Sequence, residues 1–167
     1  MNRSSKLMNR RGSALVELAL ITPILLLILL AVVEFGRVLE MSHAATGLSR
    51  ESANIAARGS TLQEAIDAAM ISGSDIRLNK VGGVVASRLT RQGNKTVVTE
   101  QKATAPYVGR SRVGAVGQPA GDLSNLPLQP GQNAFVIEVF AKYSPIAPLG
   151  LLAKSIIPRE LYSRSVF

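Results

Sequence analysis

The chain has no cysteine, no tryptophan and a single histidine among its 167 residues. The lack of cysteine excludes disulfide frameworks, thiolate metal sites and cysteine nucleophiles. It is compatible with an oxidising compartment without requiring one. His43 has no histidine or cysteine with which to share a metal, so it is read as a solvated helix residue, and no metal or cofactor is expected. Aromatic residues make up only 4% of the chain, too few for base-stacking platforms. Phosphate loops are also missing. Gly82-Gly83 lacks a lysine–serine sequel, and Gly109-Arg110-Ser111-Arg112 lacks the spacing. Arg110 and Arg112 are read as solvated loop residues. No nucleophile–base constellation can be assembled, so the chain is not expected to be an enzyme.

Charge and apolar character are unevenly spread. The chain carries 19 basic and 11 acidic residues, a net charge of +8. Arg3, Lys6, Arg10 and Arg11 occupy residues 1–12 without an acid, so half of the excess lies in a short leader. Soon after comes LALITPILLLILLAVV, residues 18–33, with no charge at all. Counted from Ser13, the stretch holds 21 residues and one charge, Glu17. A helix of that length spans about 31 Å, close to the hydrocarbon core of a bilayer. The four leader cations predict a cytoplasmic N-terminus and a C-terminal domain on the far side of the membrane. Basic residues placed this way serve topology, and no nucleic-acid partner is expected. A cleaved secretory signal is the alternative. Its apolar region would be about 7–15 residues long and end in small residues, whereas Glu34-Phe35-Gly36-Arg37 follows here.

Glu17 is the oddity in this segment. An ionisable group at mid-bilayer costs about 2.5–3.5 kcal/mol on insertion scales, and less near the interface. One reading makes Glu17 the marker of the interfacial end of the helix. A cut after Gly12 gives another. Ser13 would then carry a free ammonium, and Glu17 would be the fifth residue of the trimmed chain. In a bundle of such helices, the carboxylate of one subunit would meet the ammonium of its neighbour and set their axial register.

Arg10-Arg11-Gly12-Ser13-Ala14-Leu15-Val16-Glu17-Leu18, then Thr22-Pro23-Ile24-Leu25, then Val33-Glu34-Phe35-Gly36-Arg37 resembles the start of the TadE-like family. Those proteins are minor pseudopilins of the tight-adherence system, a branch of the type IV pilus machinery that serves surface adhesion. The resemblance covers about residues 10–58. Leu18 departs from it, standing where many relatives carry an aromatic residue. The resemblance implies cleavage between Gly12 and Ser13 by a prepilin peptidase and a role for Glu17 in subunit recognition or assembly. It implies a bacterial inner-membrane location, and other pilins or pseudopilins, the inner-membrane pilus platform and membrane lipid as partners. An uncleaved, permanently anchored scaffold with a periplasmic binding domain is the alternative function.

The remaining pattern predicts an α+β chain: a basic leader (1–12), a transmembrane helix (13–34), a stalk helix (35–58) and a small periplasmic domain with an antiparallel sheet (59–167). Pro23 removes a helix hydrogen bond to Ala19 and predicts a mild kink or local melting; Thr22 is a candidate to satisfy the freed group. Phe35, Val38, Met41, Ala45, Leu48, Ser52 and Ile55 recur at three- and four-residue steps, a stripe that packs on a sheet or a partner helix. Glu34 and Arg37 are read as a surface pair. Arg58-Gly59 is a natural stop. A second helix follows to about Ile71, opened by a capping box of either Ser60 with Gln63 or Thr61 with Glu64. Val84–Thr90 and Lys95–Gln101 form a plausible hairpin. Proline and glycine dominate 103–133, which predicts a long flexible loop. Ala134–Tyr143 is the strongest strand, its Phe135-Val136-Ile137 start suggesting burial on both faces. A short apolar helix or surface loop is expected at 149–156, and a closing strand at Arg159–Phe167.

Overall fold

Helix α1, Arg3–Ala57, runs 55 residues, so leader, apolar segment and stalk form one continuous rod of about 80 Å. The computed structural model describes residues 3–145 and 159–167, with side chains from Ser13 onward. The segment expected at 149–156 lies outside the described residues. The backbone stays helical through Pro23, so the local melting expected there does not occur. The Thr22 hydroxyl donates to the Leu18 carbonyl at 2.7 Å, one residue away from the Ala19 carbonyl that Pro23 leaves without its N–H. The rod ends where the pattern placed its stop: Arg58 N donates to the Asn54 carbonyl, and Gly59 follows at φ 101°.

Helix α2, Leu62–Ser72, opens on the second of the two possible capping boxes. Glu64 N donates to Thr61 Oγ1 at 3.2 Å, and Thr61 N donates to Glu64 Oε2 at 2.8 Å. Two of the helix's unpaired N-terminal donors are thereby satisfied. Leu62, Ala65, Ile66 and Ala69 turn inward. A one-turn helix α3, Leu78–Val81, which the sequence pattern did not predict, leads into the sheet.

Four strands follow: β1 (Gly82–Gln92), β2 (Lys95–Ala103), β3 (Asn133–Lys142) and β4 (Glu160–Val166). Their order is β2-β1-β3-β4, antiparallel throughout. A two-residue turn, Gly93-Asn94, joins β1 to β2, with Gly93 supplying the positive φ of 60° that such turns need.

The sheet is covered on both faces. Ile137, Val139 and Ala141 of β3 pack with Val84 and Ala86 of β1 against Ala45, Leu48, Ala53 and Ala56 of α1 and the inner face of α2. Small residues on the rod allow this close approach. The opposite face carries Leu89, Val98 and Val136, and Val113, Ala120 and Leu128 of the 103–133 segment lie over them. That segment was expected to be flexible; instead it is a packed third layer. It also runs along the outer edge of β2: Val98 N donates to the Gln118 carbonyl at 3.0 Å and Ala120 N to the Thr96 carbonyl at 2.9 Å. An otherwise open strand edge is paired in this way. Prolines and glycines here shape turns around single buried side chains, which is why no periodic pattern announces the packing.

Candidate functional site

The rod has two ends with opposite surroundings. Between Ser13 and Val33 nearly every side chain is exposed, including Leu15, Leu18, Leu20, Ile24 and Leu29. An 18-residue window of this helix has a mean hydropathy of 2.8, and none of it is buried in the protein. A helix so long and apolar is able to cross a bilayer, consistent with a single-pass membrane protein. Glu17 is exposed within this stretch, and among the described residues no side chain pairs with it. Gly12 and Ser13 fall inside α1, with no break between leader and apolar segment. Arg3, Lys6, Arg10 and Arg11 lie in the first turns of the same helix.

Along the expected stripe Leu48 is buried, Val38 and Ile55 are half-buried, with Ile55 packed on the core, and Phe35 is 64% exposed. The inward stripe begins one residue earlier, at Glu34, and continues through Val38, Met41, Ala45, Leu48 and Ser52. Polar groups take part in the seam. The Ser49 hydroxyl lies 2.9 Å from that of Ser165 and 3.1 Å from that of Ser163, joining the middle of the stalk to β4.

Glu34 corrects the sequence reading most sharply. It was expected to form a surface pair with Arg37, yet it is only 2% exposed. The Tyr143 hydroxyl, just past the end of β3, donates to Glu34 Oε1 at 2.6 Å. Arg37 approaches the other oxygen at 3.6 Å and places its guanidinium 5.8 Å from the Tyr143 ring centre. Burial first, and then the hydrogen bond to Glu34 and its charge, push the Tyr143 hydroxyl up to about 12, with Arg37 opposing. The lock sits one residue past Val33, where the apolar run ends. The sequence carried its signal: Glu34 lies four residues before Val38 and seven before Met41, in step with the stripe.

A second buried carboxylate holds the outer layer. Glu138, in the middle of β3, is 0% exposed. It accepts from the Ser111 hydroxyl, from Arg112 N at 2.9 Å and from the Tyr162 hydroxyl at 2.8 Å. Burial, followed by the Glu138 hydrogen bond and charge, raises the Tyr162 hydroxyl well above its ordinary range. Arg112, read from sequence as a solvated loop cation, lies 4.1 Å from the Tyr162 ring centre. Arg110, read the same way, pairs with Glu160 at 3.4 Å. The overlooked signal was the lone acid in AFVIEVFAKY, because a charge in a strand buried on both faces needs partners. These two carboxylates fix geometry: one seats the sheet on the rod, the other the loop on the sheet. His43 is exposed on α1.

Residues 12–54 match the model of the TadE-like protein family. No curated protein and no solved structure matches the chain. The matched stretch takes in Gly12, Glu17, the whole apolar segment, Glu34 and most of the stalk, and over those residues the chain is similar to the TadE-like proteins, a family tied to tight-adherence pilus assembly.

Proposed function

We propose that the protein is a minor pseudopilin of the tight-adherence pilus, a structural subunit without catalytic activity. It is held in the bacterial inner membrane by residues 13–33, with its sheet domain in the periplasm. A prepilin peptidase removes residues 1–12, leaving Ser13 as the mature N-terminus. The trimmed rod then joins other pilin-like subunits and the membrane platform that extrudes them.

One observation carries this reading. Glu17 stands on a fully exposed apolar helix, five residues into the trimmed chain, with no partner among the described residues. A carboxylate in a low-dielectric setting is costly unless an opposite charge is brought to it. The ammonium of Ser13 on a neighbouring trimmed helix is of the right sign and at the right level of the rod. The seated domain supports the same reading, since the Glu34 and Ser49 contacts hold it along the rod and away from the segment that neighbouring helices would touch.

The mass of the mature chain tests the proposal. Protein purified from cells that contain the peptidase is expected to begin at Ser13. A chain that still carries residues 1–12 in piliated cells would instead make it a permanently anchored scaffold.

A further inference from the structure

A groove of about 500 Å³ opens between α1, the segment before β1 and the end of β3. Its α1 wall begins at Arg37, four residues and about 6 Å beyond Val33, the last residue of the apolar run. The polar zone of a bilayer adds roughly 5–7 Å to each side of the hydrocarbon core. If α1 spans the membrane, as proposed above, the mouth of the groove lies at headgroup depth.

The lining is mixed in sign. Arg37, Arg77 and Lys142 contribute cations, and Glu40 and Asp75 contribute carboxylates. Arg37 is engaged with Glu34. The side chains of Arg77, Lys142, Glu40 and Asp75 form no ion pair or hydrogen bond among the described residues. Charges of both signs therefore face one concave space without neutralising each other. Met41 and Val81 add apolar wall. Arg77 is also held at φ 56°, and it is the one described residue other than glycine with positive φ. Glycine adopts that backbone far more readily, yet an arginine stands on the rim.

The geometry points to a binding site for one zwitterionic phospholipid headgroup, a phosphodiester carrying a primary ammonium. Arg77 and Lys142 take the phosphate, Glu40 and Asp75 take the ammonium, and Met41 and Val81 cover the glycerol end. A free phosphate leaves both carboxylates unmatched, and an anionic lipid without an amine does the same. Such a lipid would fix the depth and the rotation of the rod before its extraction.

The test uses the full chain reconstituted in vesicles. Flotation with the vesicles establishes insertion first. Native mass spectrometry then counts lipids retained from membranes containing phosphatidylethanolamine, phosphatidylcholine or phosphatidylglycerol, with inorganic phosphate as competitor. One phosphatidylethanolamine per chain is expected, retained at least about fivefold better than either other lipid and not displaced by inorganic phosphate. Arg77→Glu with Lys142→Glu should abolish retention. Glu40→Gln with Asp75→Asn should erase the preference over phosphatidylcholine, whose trimethylated ammonium cannot donate a hydrogen bond. Equal retention of the three lipids, unchanged retention in the variants or displacement by inorganic phosphate overturns the lipid site while leaving the pseudopilin reading intact. A chain that fails to float overturns both.

Discussion

Tyr143 and Glu34 lie 109 residues apart in sequence and meet through a 2.6 Å hydrogen bond from phenol to buried carboxylate. The bond joins the end of the central strand to the rod at the point where the apolar segment gives way to the stalk. A hydrogen bond to a charged group contributes about 1.5–3 kcal/mol, and a buried carboxylate that loses one of its partners recovers less of its desolvation cost. Tyr143→Phe should therefore lower domain stability by about 2 kcal/mol, measured by urea unfolding of the full chain in detergent micelles.

The same contact gives the domain an alkaline weakness. The Tyr143 hydroxyl is raised from the ordinary phenol value of 10.0 to about 12, so the folded state favours the protonated phenol. Its contribution is fully present below pH 10 and is lost as pH rises through the folded value near 12. Tyr162 and Tyr107 shift in the same direction and steepen the loss. Unfolding midpoints followed from pH 9 to 12 should fall with pH, and fall less in Tyr143→Phe. A variant slope equal to that of the wild type would show that the phenol is not coupled to folding.

Glu138 should be the most sensitive position in the outer layer. Replacing it with alanine leaves the Ser111 hydroxyl, Arg112 N and the Tyr162 hydroxyl without their acceptor. A loss of about 3–5 kcal/mol is expected, together with new protease cleavage between residues 104 and 132. Glu138→Gln keeps an acceptor oxygen and should lose much less. If the loop remains protease-resistant in Glu138→Ala, the apolar contacts of Val113, Ala120 and Leu128 hold it without the carboxylate.

Gly83 marks a close approach between β1 and the loop. A Cβ built there would collide with the Tyr107 ring and with Thr104 Oγ1 at 2.7 Å. Tyr107 is fully buried and stacks on Phe140 at 5.2 Å between ring centres, so it has little room to retreat. Gly83→Ala should cost about 1–3 kcal/mol through overpacking. Gly47→Ala, where a Cβ meets no atom within 4 Å and φ is not positive, is the control without overpacking.

Local signals survived the passage from sequence to fold, and long-range polar contacts did not. The Thr61–Glu64 box, the Arg58-Gly59 stop, the β1–β2 hairpin and the doubly buried start of β3 each depend on residues within a few positions of one another, and each is legible in order along the chain. Glu34 looked like half of a surface pair because its nearest charge in sequence is Arg37, while Tyr143, which donates to it in space, lies beyond any local pattern. The covering layer over β2 was hidden for a related reason: Tyr107, Val113, Ala120 and Leu128 are buried one at a time, with no period. The face turned to the domain begins at Glu34, a residue that apolar periodicity passes over, while Phe35 beside it stays exposed.

Glu17 decides between an assembling subunit and a tethered domain. It faces outward from an apolar helix and has no partner among the described residues, which leaves it open to a counter-charge from a neighbouring subunit. Glu17→Ala removes a charge from the bilayer and should leave insertion unchanged or slightly improved. In an assembled bundle it leaves the neighbour's Ser13 ammonium without its counter-charge, at a cost of about 3–5 kcal/mol per contact. Each 1.4 kcal/mol is about a tenfold change in an equilibrium, so incorporation into pili should fall by at least about a hundredfold while the membrane-bound level stays constant. Quantifying sheared pili against the membrane fraction reads both quantities from the same cells. Glu17→Asp, which keeps the charge on a shorter arm, should recover part of the assembly, whereas Glu17→Gln should recover little. Normal incorporation of Glu17→Ala would mean that the carboxylate only marks the membrane boundary, and register would then have to be set by the apolar surface of the rod and by Phe35 beyond it.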